Sequence, residues 1–256
     1  MRIRGFAPST PCWVELTTSH PDDAAGFYAG LFGWQVEGDR FVLGGRAVAG
    51  IRRAQPGESQ GWLTYLAAPE LEETTQAVTR AYGRQITRVE ERQGARTAIV
   101  SDSSGAVFGL WQAAGFGGAQ LRGEPGTMEW SDLLTSDISA ATAFYGGVFG
   151  WTLTDEFGSR EWLSEAHDSV AGLIAGRYDV RWQPSFQVAE TTETIDRCAG
   201  LGGRVVAGPV EMGLGSYVEM VDPQGSPFAV TSPVERKVEL NVAYNDIIGM
   251  ELTYGG

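Results

Sequence analysis

The chain has 256 residues, of which 43% are hydrophobic, and a formal net charge of −13, so it can bury a real core in one or two domains. The negative charge argues against binding to nucleic-acid phosphates or to anionic membrane surfaces. No apolar run approaches the ~20 residues of a membrane helix, and we expect no signal peptide. Two cysteines at unrelated places, Cys12 and Cys198, predict buried thiols without a disulfide framework and a cytoplasmic location.

The first half of the chain alternates between strand-like and helix-like patterns. Residues 12–18 alternate polar and apolar side chains and favour a strand. A helix is predicted from about Ser19 to Phe32, because a proline and two acids occupy its first turn and Gly33 follows its end. The remaining predicted elements are strands at 40–53 and 61–68, a helix at 71–82, and a strand-rich stretch at 85–111.

The same order of elements returns in the second half. The segment from Phe27 to Trp34 reappears 117 residues later, as the segment from Phe144 to Trp151. Two shorter motifs also return, Val48–Ile51 as Val170–Leu173 and Asp102–Gly105 as Asp222–Gly225. A repeat at half the chain length predicts two copies of one module, related by a pseudo-twofold axis.

The repeat sets the predicted domain boundaries. We expect module one at 1–112, a Gly/Ala-rich linker at 113–126, module two at 127–232 and an extension at 233–256. The extension has no counterpart in module one and could add a strand or reach a partner subunit. The expected assembly is a monomer with an internal pseudo-dimer, or a homodimer.

Strand alternation assigns side chains to faces of the predicted sheets. Val14 and Leu16 are expected to meet the helices, which sends Trp13 and Glu15 to the opposite face. The matching residues in module two are Trp130 and Asp132, and Tyr65 and Trp111 are placed on the same face of module one. If the sheets curl, this face of each module lines a cavity with aromatic rings and one carboxylate.

The pattern resembles the vicinal oxygen chelate superfamily, which includes glyoxalase I, extradiol dioxygenases and bleomycin-resistance proteins. The resemblance covers residues 12–112 and 127–232. Within the superfamily, the chain is most similar to two-module actinobacterial glyoxalase-like proteins. The order and the duplication of the motifs carry the resemblance. In module two these motifs are a strand followed by Asp137, a helix that contains Phe144-Tyr145, and the segment from Asp222 to Gly225 before the last strand. The resemblance implies an α+β fold of two tandem βαβββ modules, whose sheets curl into cups with helices outside.

The chain departs from the family at the metal ligands. Metal-using members place His or Gln where this chain has Trp13 and Trp130, a His near the positions of Leu63 and Gln183, and a Glu at those of Gly109 and Ala229. Only Gln183 could ligate, whereas a first-row divalent metal needs about three converging N or O ligands. We therefore expect no metal, no cofactor and none of the family's metal chemistry.

Without a metal, the cups offer aromatic surface and carboxylates. The expected ligand-binding residues are Trp13, Tyr65, Trp111, Trp130, Gln183, Ser185 and Gln187, and the expected acid or base is Glu15 or Asp132. The rings could instead merely plug the space of a lost metal site, and each acid could be bonded to backbone or arginine. Because the two modules have diverged at these positions, only one cup is expected to be functional, and the more polar wall of module two is better suited to orient an oxygen-rich ligand.

Three classes of function remain open from the sequence. The first is a protein that sequesters or carries an aromatic or polyketide-like metabolite or antibiotic, as bleomycin-resistance relatives do. The second is a metal-free enzyme of secondary metabolism, a cyclase or isomerase that uses Glu15 or Asp132 as acid or base. The third is a non-catalytic accessory protein. Binding of a small molecule without turnover would support the first class, and turnover in the presence of EDTA would support the second. Binding of another protein, but of no small molecule, would support the third.

Overall fold

The structure is a computed structural model that describes residues 5–156, 159–176, 180–212 and 215–233. The extension at 234–256 lies outside these residues. Module one contains two helices and nine strands, in the order β1 (Pro11–Thr18), α1 (Pro21–Phe32), β2 (Gln35–Glu37), β3 (Arg40–Leu43), β4 (Arg46–Arg53), β5 (Gly61–Ala67), α2 (Leu71–Arg80), β6 (Arg84–Gln85), β7 (Glu90–Arg92), β8 (Ala95–Ser101) and β9 (Val107–Ala113).

Within its described residues, module two repeats this order with one strand fewer. Its elements are β10 (Met128–Thr135), α3 (Ile138–Phe149), β11 (Thr152–Glu156), β12 (Ser159–Leu163), β13 (Ser169–Ala175), β14 (Arg181–Gln187), α4 (Thr191–Gly200), β15 (Arg204–Met212), β16 (Gly215–Val221) and β17 (Pro227–Pro233). No helix in the described ranges is long and apolar enough to span a membrane.

Each module forms one mixed, curled sheet. The strand orders are β2-β3-β4-β1-β5-β9-β8-β6 and β11-β12-β13-β10-β14-β17-β16-β15, with β7 pairing to β8. In both, the first strand of the module runs parallel to one neighbour and antiparallel to the other. The predicted α+β fold with curled mixed sheets is confirmed. The structure adds that each module contains the βαβββ order twice, once before and once after its midpoint.

The predicted helix ends agree with the observed caps. Helix α1 ends at Gly33, whose φ of 73° is in the left-handed region that glycine adopts without strain. Helix α3 begins after Asp137, whose carboxylate accepts a hydrogen bond from the Ala140 amide at 2.9 Å. These local signals placed both helices correctly.

The hydrophobic core belongs to neither module alone. Helix α1 buries Phe27 and Tyr28 in a cluster with Val14 of its own sheet and with Phe186 and Phe228 of the other sheet. A second cluster joins helix α3 to β5, β8 and β9 in the same way. The sheets also touch directly, where Thr64 and Ser131 hydroxyls lie 3.4 Å apart. The helices therefore lie outside the cups, as predicted, but between the two sheets.

The segment that joins the modules is packed rather than free. Phe116, Ala119 and Leu121 are buried. The indole N–H of Trp34 donates to the Gly126 carbonyl at 2.7 Å. The apolar side chains of this Gly/Ala-rich segment therefore cover module one.

Candidate functional site

The faces away from the helices carry the predicted site residues. The first cup is the face of module one that holds Trp13, Glu15, Tyr65 and Trp111. The second cup is the face of module two that holds Trp130, Asp132, Gln183, Ser185 and Glu219. Strand register makes the two sets equivalent, because Glu15 lies opposite Gly50 and Asp132 lies opposite Gly172.

The first cup is filled by its own rings. Trp13 is fully buried, and its ring centroid lies 6.0 Å from that of Trp111 and 5.1 Å from that of Phe116. Tyr65 packs edge-on to Trp111 at 5.3 Å. Phe116 comes from the segment between the modules and was missed by the sequence reasoning, because strand alternation gives no information about a loop that folds back. These contacts indicate that the aromatic residues of this cup fill its interior rather than form a wall for a ligand.

Glu15 is held by an extensive set of charged and polar groups. Its carboxylate is 1% exposed and accepts hydrogen bonds from Arg92 at 2.6 Å and from Arg52 Nε at 3.0 Å. Gln93 and the Tyr65 hydroxyl donate to it at 3.1 and 3.3 Å. Two guanidinium groups occupy the carboxylate oxygens of Glu15, so the geometry favours a structural role for this side chain.

The second cup is arranged as two cross-strand rows. The first row joins four strands through the register pairs Gln183–Asp132, Asp132–Gly172 and Gly172–Glu161. The second row likewise joins four strands, through Trp130–Ser185, Ser185–Ala229 and Ala229–Glu219. Side chains in register on neighbouring strands share a face, so the rows gather the polar groups of this module into one site.

Asp132 is the most perturbed acid of the second cup. Its pKa is raised to about 7, chiefly by burial and then by the nearby carboxylates of Glu219 and Glu161, although a hydrogen bond from the Trp130 side chain acts in the opposite direction. The carboxylate fits against Gly172, where a Cβ atom would come within 2.0 Å of Asp132 Oδ1. A carboxyl group with a pKa near neutrality can donate or accept a proton at physiological pH.

Gln183 connects the centre of the second cup to its rim. Its amide nitrogen donates to the Tyr217 hydroxyl at 2.9 Å, and its oxygen accepts from Arg181 at 2.9 Å. Burial raises the pKa of Glu219, while Arg181 and Gln183 lower it. The Trp130 ring is partly exposed, unlike the buried Trp13 of the first cup. The second cup therefore presents an accessible ring beside polar groups.

Several residues of the second cup were not anticipated from the sequence. Glu161, Tyr217 and Glu219 lie on β12 and β16, which the sequence analysis did not resolve into faces. A usable signal existed in β16, where Tyr217 and Glu219 alternate with Val218 and Met220 of the helix-facing core. The predicted Gln187 lies at the end of β14, opposite Thr231.

The donor set does not fit the metal centre that the fold family implies. In module two the three ligand positions hold Trp130, Gln183 and Ala229, of which Ala229 has no donor and Gln183 is already bonded at both ends. No group of three or more His, Cys, Asp or Glu side chains within the described ranges is arranged to hold a metal ion. His20 and His167 are exposed and lie outside these positions.

Two curled mixed sheets with repeated βαβββ units and helices on the opposite face define a paired-module architecture. The family model described as a glyoxalase-like domain matches residues 131–231. The anthracycline biosynthesis protein DauV of Streptomyces sp. (strain C5) is 32% identical over 271 residues, which cover 93% of this chain and 96% of DauV. The chain therefore belongs to the glyoxalase-like family of the vicinal oxygen chelate superfamily.

Two further similarities extend over most of the chain. CFP32 of Mycobacterium tuberculosis (strain CDC 1551 / Oshkosh), whose name suggests a glyoxylase, is 30% identical over 256 residues, covering 91% of this chain and 98% of CFP32. The Mn(II)-bound glyoxalase from Novosphingobium aromaticivorans superposes with a TM-score of 0.62 at 16% identity, covering 89% of this chain and 83% of that one. At this identity the structural similarity shows the fold alone.

Proposed function

We propose that the chain binds an aromatic, oxygen-rich small molecule in the second cup, without a metal ion, and so sequesters or carries a metabolite or antibiotic. The observation that carries the proposal is the partly exposed Trp130 ring next to the buried polar groups of Asp132, Gln183 and Ser185. An aromatic ring gives a planar ligand a stacking surface, and a few placed polar groups orient it.

The relatives support a ligand of this class. DauV is named for anthracycline biosynthesis, and anthracyclines are oxygen-bearing fused-ring molecules. The two free, buried cysteines support a reducing, cytoplasmic location for this activity.

Binding can be tested with 1,8-dihydroxyanthraquinone, a planar neutral molecule rich in oxygen. Titration should quench tryptophan fluorescence in EDTA as strongly as in its absence. Trp130→Ala should weaken binding by roughly 1–3 kcal/mol, the range of a lost stacking contact and its buried area. Tyr82→Ala is the matched control, because Tyr82 is 88% exposed and outside both cups. Unchanged affinity in Trp130→Ala would contradict the assignment of the site.

A second candidate function is a metal-free enzyme that moves protons on the bound molecule. The observation that favours it is the pKa of about 7 for Asp132, whose cause is burial beside Glu219 and Glu161. The ionised Asp132 would take a proton from an acidic C–H next to a carbonyl, leaving an enolate, and return it to another atom of the same molecule.

This second candidate makes a separate experimental demand. Anthrone in D2O with EDTA should acquire deuterium at its acidic CH2 faster with the protein than without it, with an inflection near pH 7. Asp132→Asn should abolish this exchange while keeping affinity within a few-fold. Binding of anthrone without accelerated deuterium exchange would contradict the enzyme function and would be consistent with the carrier function.

A further inference from the structure

We propose that residues 234–256, the C-terminal extension, form an additional strand on the outer edge of β15 in the same chain. The eight-stranded sheet of module two would thereby gain a ninth strand, which lengthens the wall of the second cup. Because residues 234–256 lie outside the described part of the chain, the assignment depends on the edge of β15, the position at which β17 ends and the sequence of the extension. This pairing needs no ligand in either cup and is therefore independent of the proposed function.

Strand β15 is an open edge of the sheet of module two. It lies at one end of the strand order and pairs only with β16 among the described residues. The strand is nine residues long and exposes Val205, Val206 and Val210, at 36%, 50% and 54%. A long apolar edge strand with unpaired backbone groups readily pairs with another segment, so natural proteins usually cover, shorten or charge such an edge.

The corresponding edge of module one is short and polar. There β8, the counterpart of β16, pairs with β6 and β7, which are two and three residues long. These strands read Arg-Gln and Glu-Glu-Arg, so they present charged and polar side chains instead of valines. In the sequence repeat, module one has no segment that corresponds to the extension. The long apolar edge and the extension thus occur in the same module, as expected if the extension covers the edge.

The end of β17 places the extension close to this edge. Strands β15, β16 and β17 are successive antiparallel neighbours, so β15 and β17 run in the same direction. Met212 is in register with Gly215, and Gly215 with Pro233, so β15 and β17 end at the same side of the sheet. A strand added outside β15 would lie roughly 14 Å from β17, which is three strand spacings. The extended chain from Pro233 to Val238 spans up to about 17 Å and can cover this distance.

The resulting connection has a common topology. Three consecutive antiparallel strands and a fourth that returns to lie beside the first form a Greek key. Here β15, β16 and β17 are the three strands, and the extension would be the fourth, running antiparallel to β15. The opposite edge of the sheet, β11, is five strands from β17, so the same short connection cannot reach it. Within the sheet of module two, the geometry therefore selects the edge at β15.

The sequence of the extension suits a strand at this edge. Residues 238–244 read Val-Glu-Leu-Asn-Val-Ala-Tyr, in which every second side chain is large and apolar. This alternation is typical of a strand with one apolar face. On β15, Val210 lies opposite Tyr217, whose hydroxyl accepts a hydrogen bond from Gln183 of the second cup. Residues in register share a face, so an apolar side chain of the extension next to Val210 would extend the wall of this cup.

Pro209 limits how the backbone of β15 can pair. It has no amide hydrogen, so backbone pairing is confined to the residues on either side of it, and the exposed valine side chains must supply the remaining contact. A tethered segment tolerates such an interrupted edge better than a separate molecule does, because its effective concentration is high. The net charge of −13 on each chain also opposes the approach of a second copy. The occupant is therefore the extension of the same chain.

Hydrogen exchange tests the added strand, followed residue by residue by NMR on the full chain without ligand. Amides within 238–244 should exchange at least tenfold more slowly than in an unstructured peptide of the same sequence. Leu240→Asp should remove this protection, because it places a charge among the apolar side chains of the extension. Asn241→Asp is the matched control, since it introduces the same charge on the alternate face and should leave the protection unchanged.

A reciprocal substitution tests the site on β15. Val210→Asp should accelerate exchange within 238–244 at least tenfold, whereas Val36→Asp should not. Val36 is a suitable control because it is 44% exposed and lies on β2, an edge strand of module one. Both substituted positions are largely exposed, so neither change should unfold the modules. Unaltered protection of the β1 and β10 amides verifies this.

Sedimentation of the full chain at two concentrations identifies the occupant of the edge. The expected result is a monomer in which residues 238–244 are protected. Protection that disappears on dilution together with a dimer would assign the edge to a second copy and overturn pairing within the chain. Exchange within 238–244 at the rate of the free peptide would overturn the added strand itself. Unchanged protection in Val210→Asp would show that the extension binds elsewhere than on β15, which would also overturn the proposal.

Discussion

The Tyr28 hydroxyl of module one donates to Asp222 Oδ2 of module two at 3.1 Å, and Tyr145 of module two donates to Asp102 of module one at the same distance. Each tyrosine in turn accepts a hydrogen bond at 2.8 Å from a tryptophan of its own module, Trp62 or Trp182. The repeated Phe-Tyr motif and the repeated Asp-turn motif are therefore one buried contact, made twice between the modules.

These aspartates also organise their own turns. Asp222 accepts from the amides of Gln224 and Ser226, and Asp102 accepts from those of Ser104 and Ala106. Each carboxylate thus connects the last hairpin of one module to the first helix of the other. The pairing explains why the two motifs recur together.

Loss of a tyrosine hydroxyl should weaken the junction between the modules. Tyr28→Phe and Tyr145→Phe should each lower the free energy of unfolding by about 1–3 kcal/mol, because a buried carboxylate oxygen and an indole N–H lose their partner. Urea denaturation with a constant m-value measures the effect. Tyr82→Phe, on an 88% exposed ring, should have no effect. A change below 0.5 kcal/mol in both interface variants would show that the contact contributes little.

Neither module should fold alone. Fragment 1–126 would expose Phe27 and Tyr28 on helix α1, which pack on Phe186 and Phe228 of the other half. We expect fragments 1–126 and 127–256 to lack fixed tertiary structure separately and to regain it when mixed, as seen by near-ultraviolet circular dichroism. A cooperative unfolding transition in either isolated fragment would contradict a shared core.

The stability of the chain should fall as pH rises through the range in which Asp132 loses its proton. Its pKa in the folded protein, about 7, lies above the ordinary value of 3.8, so the folded state binds the proton more tightly than the unfolded state. This contribution is complete below pH 3.8 and is lost as pH approaches and passes 7. Linkage gives a loss of about 2–3 kcal/mol between pH 5 and pH 8.

The pH effect can be assigned by substitution. Asp132→Asn should flatten the dependence of the unfolding free energy on pH, leaving the smaller contribution of Glu219, whose pKa burial also raises. Glu190→Gln, at an exposed acid outside both cups, should retain the wild-type slope. An equally steep slope in Asp132→Asn would mean that other groups cause it.

The two equivalent tryptophans should respond differently to truncation. Trp13→Ala should cost about 3–5 kcal/mol of stability, since the ring is fully buried among Trp111 and Phe116. Trp130→Ala should cost about 1–2 kcal/mol, because its ring is partly exposed and little core is lost. Thermal and urea unfolding of the two variants compare them directly, and equal losses would show that both rings act as plugs.

Local patterns in the sequence were sufficient for much of the fold. The repeat identified the two modules, and Gly33 and Asp137 located helix ends. Alternation placed Trp13 of β1 and Trp130 of β10 on the face opposite to that of Val14 and its equivalent. The repeat needs only a comparison of the two halves, and the other signals depend on residues within one turn or one strand, where backbone geometry alone fixes the direction of a side chain.

The contents of the cups were decided by tertiary structure. Phe116 fills the first cup because the segment between the modules folds back, and the sequence pattern of a loop does not encode its path. Glu161 and Glu219 join Asp132 because three strands distant in sequence align in one register. Likewise, the Tyr28–Asp222 bond depends on the sheets packing back to back. Contacts between distant segments are set by the packing of whole sheets, which no local periodicity determines.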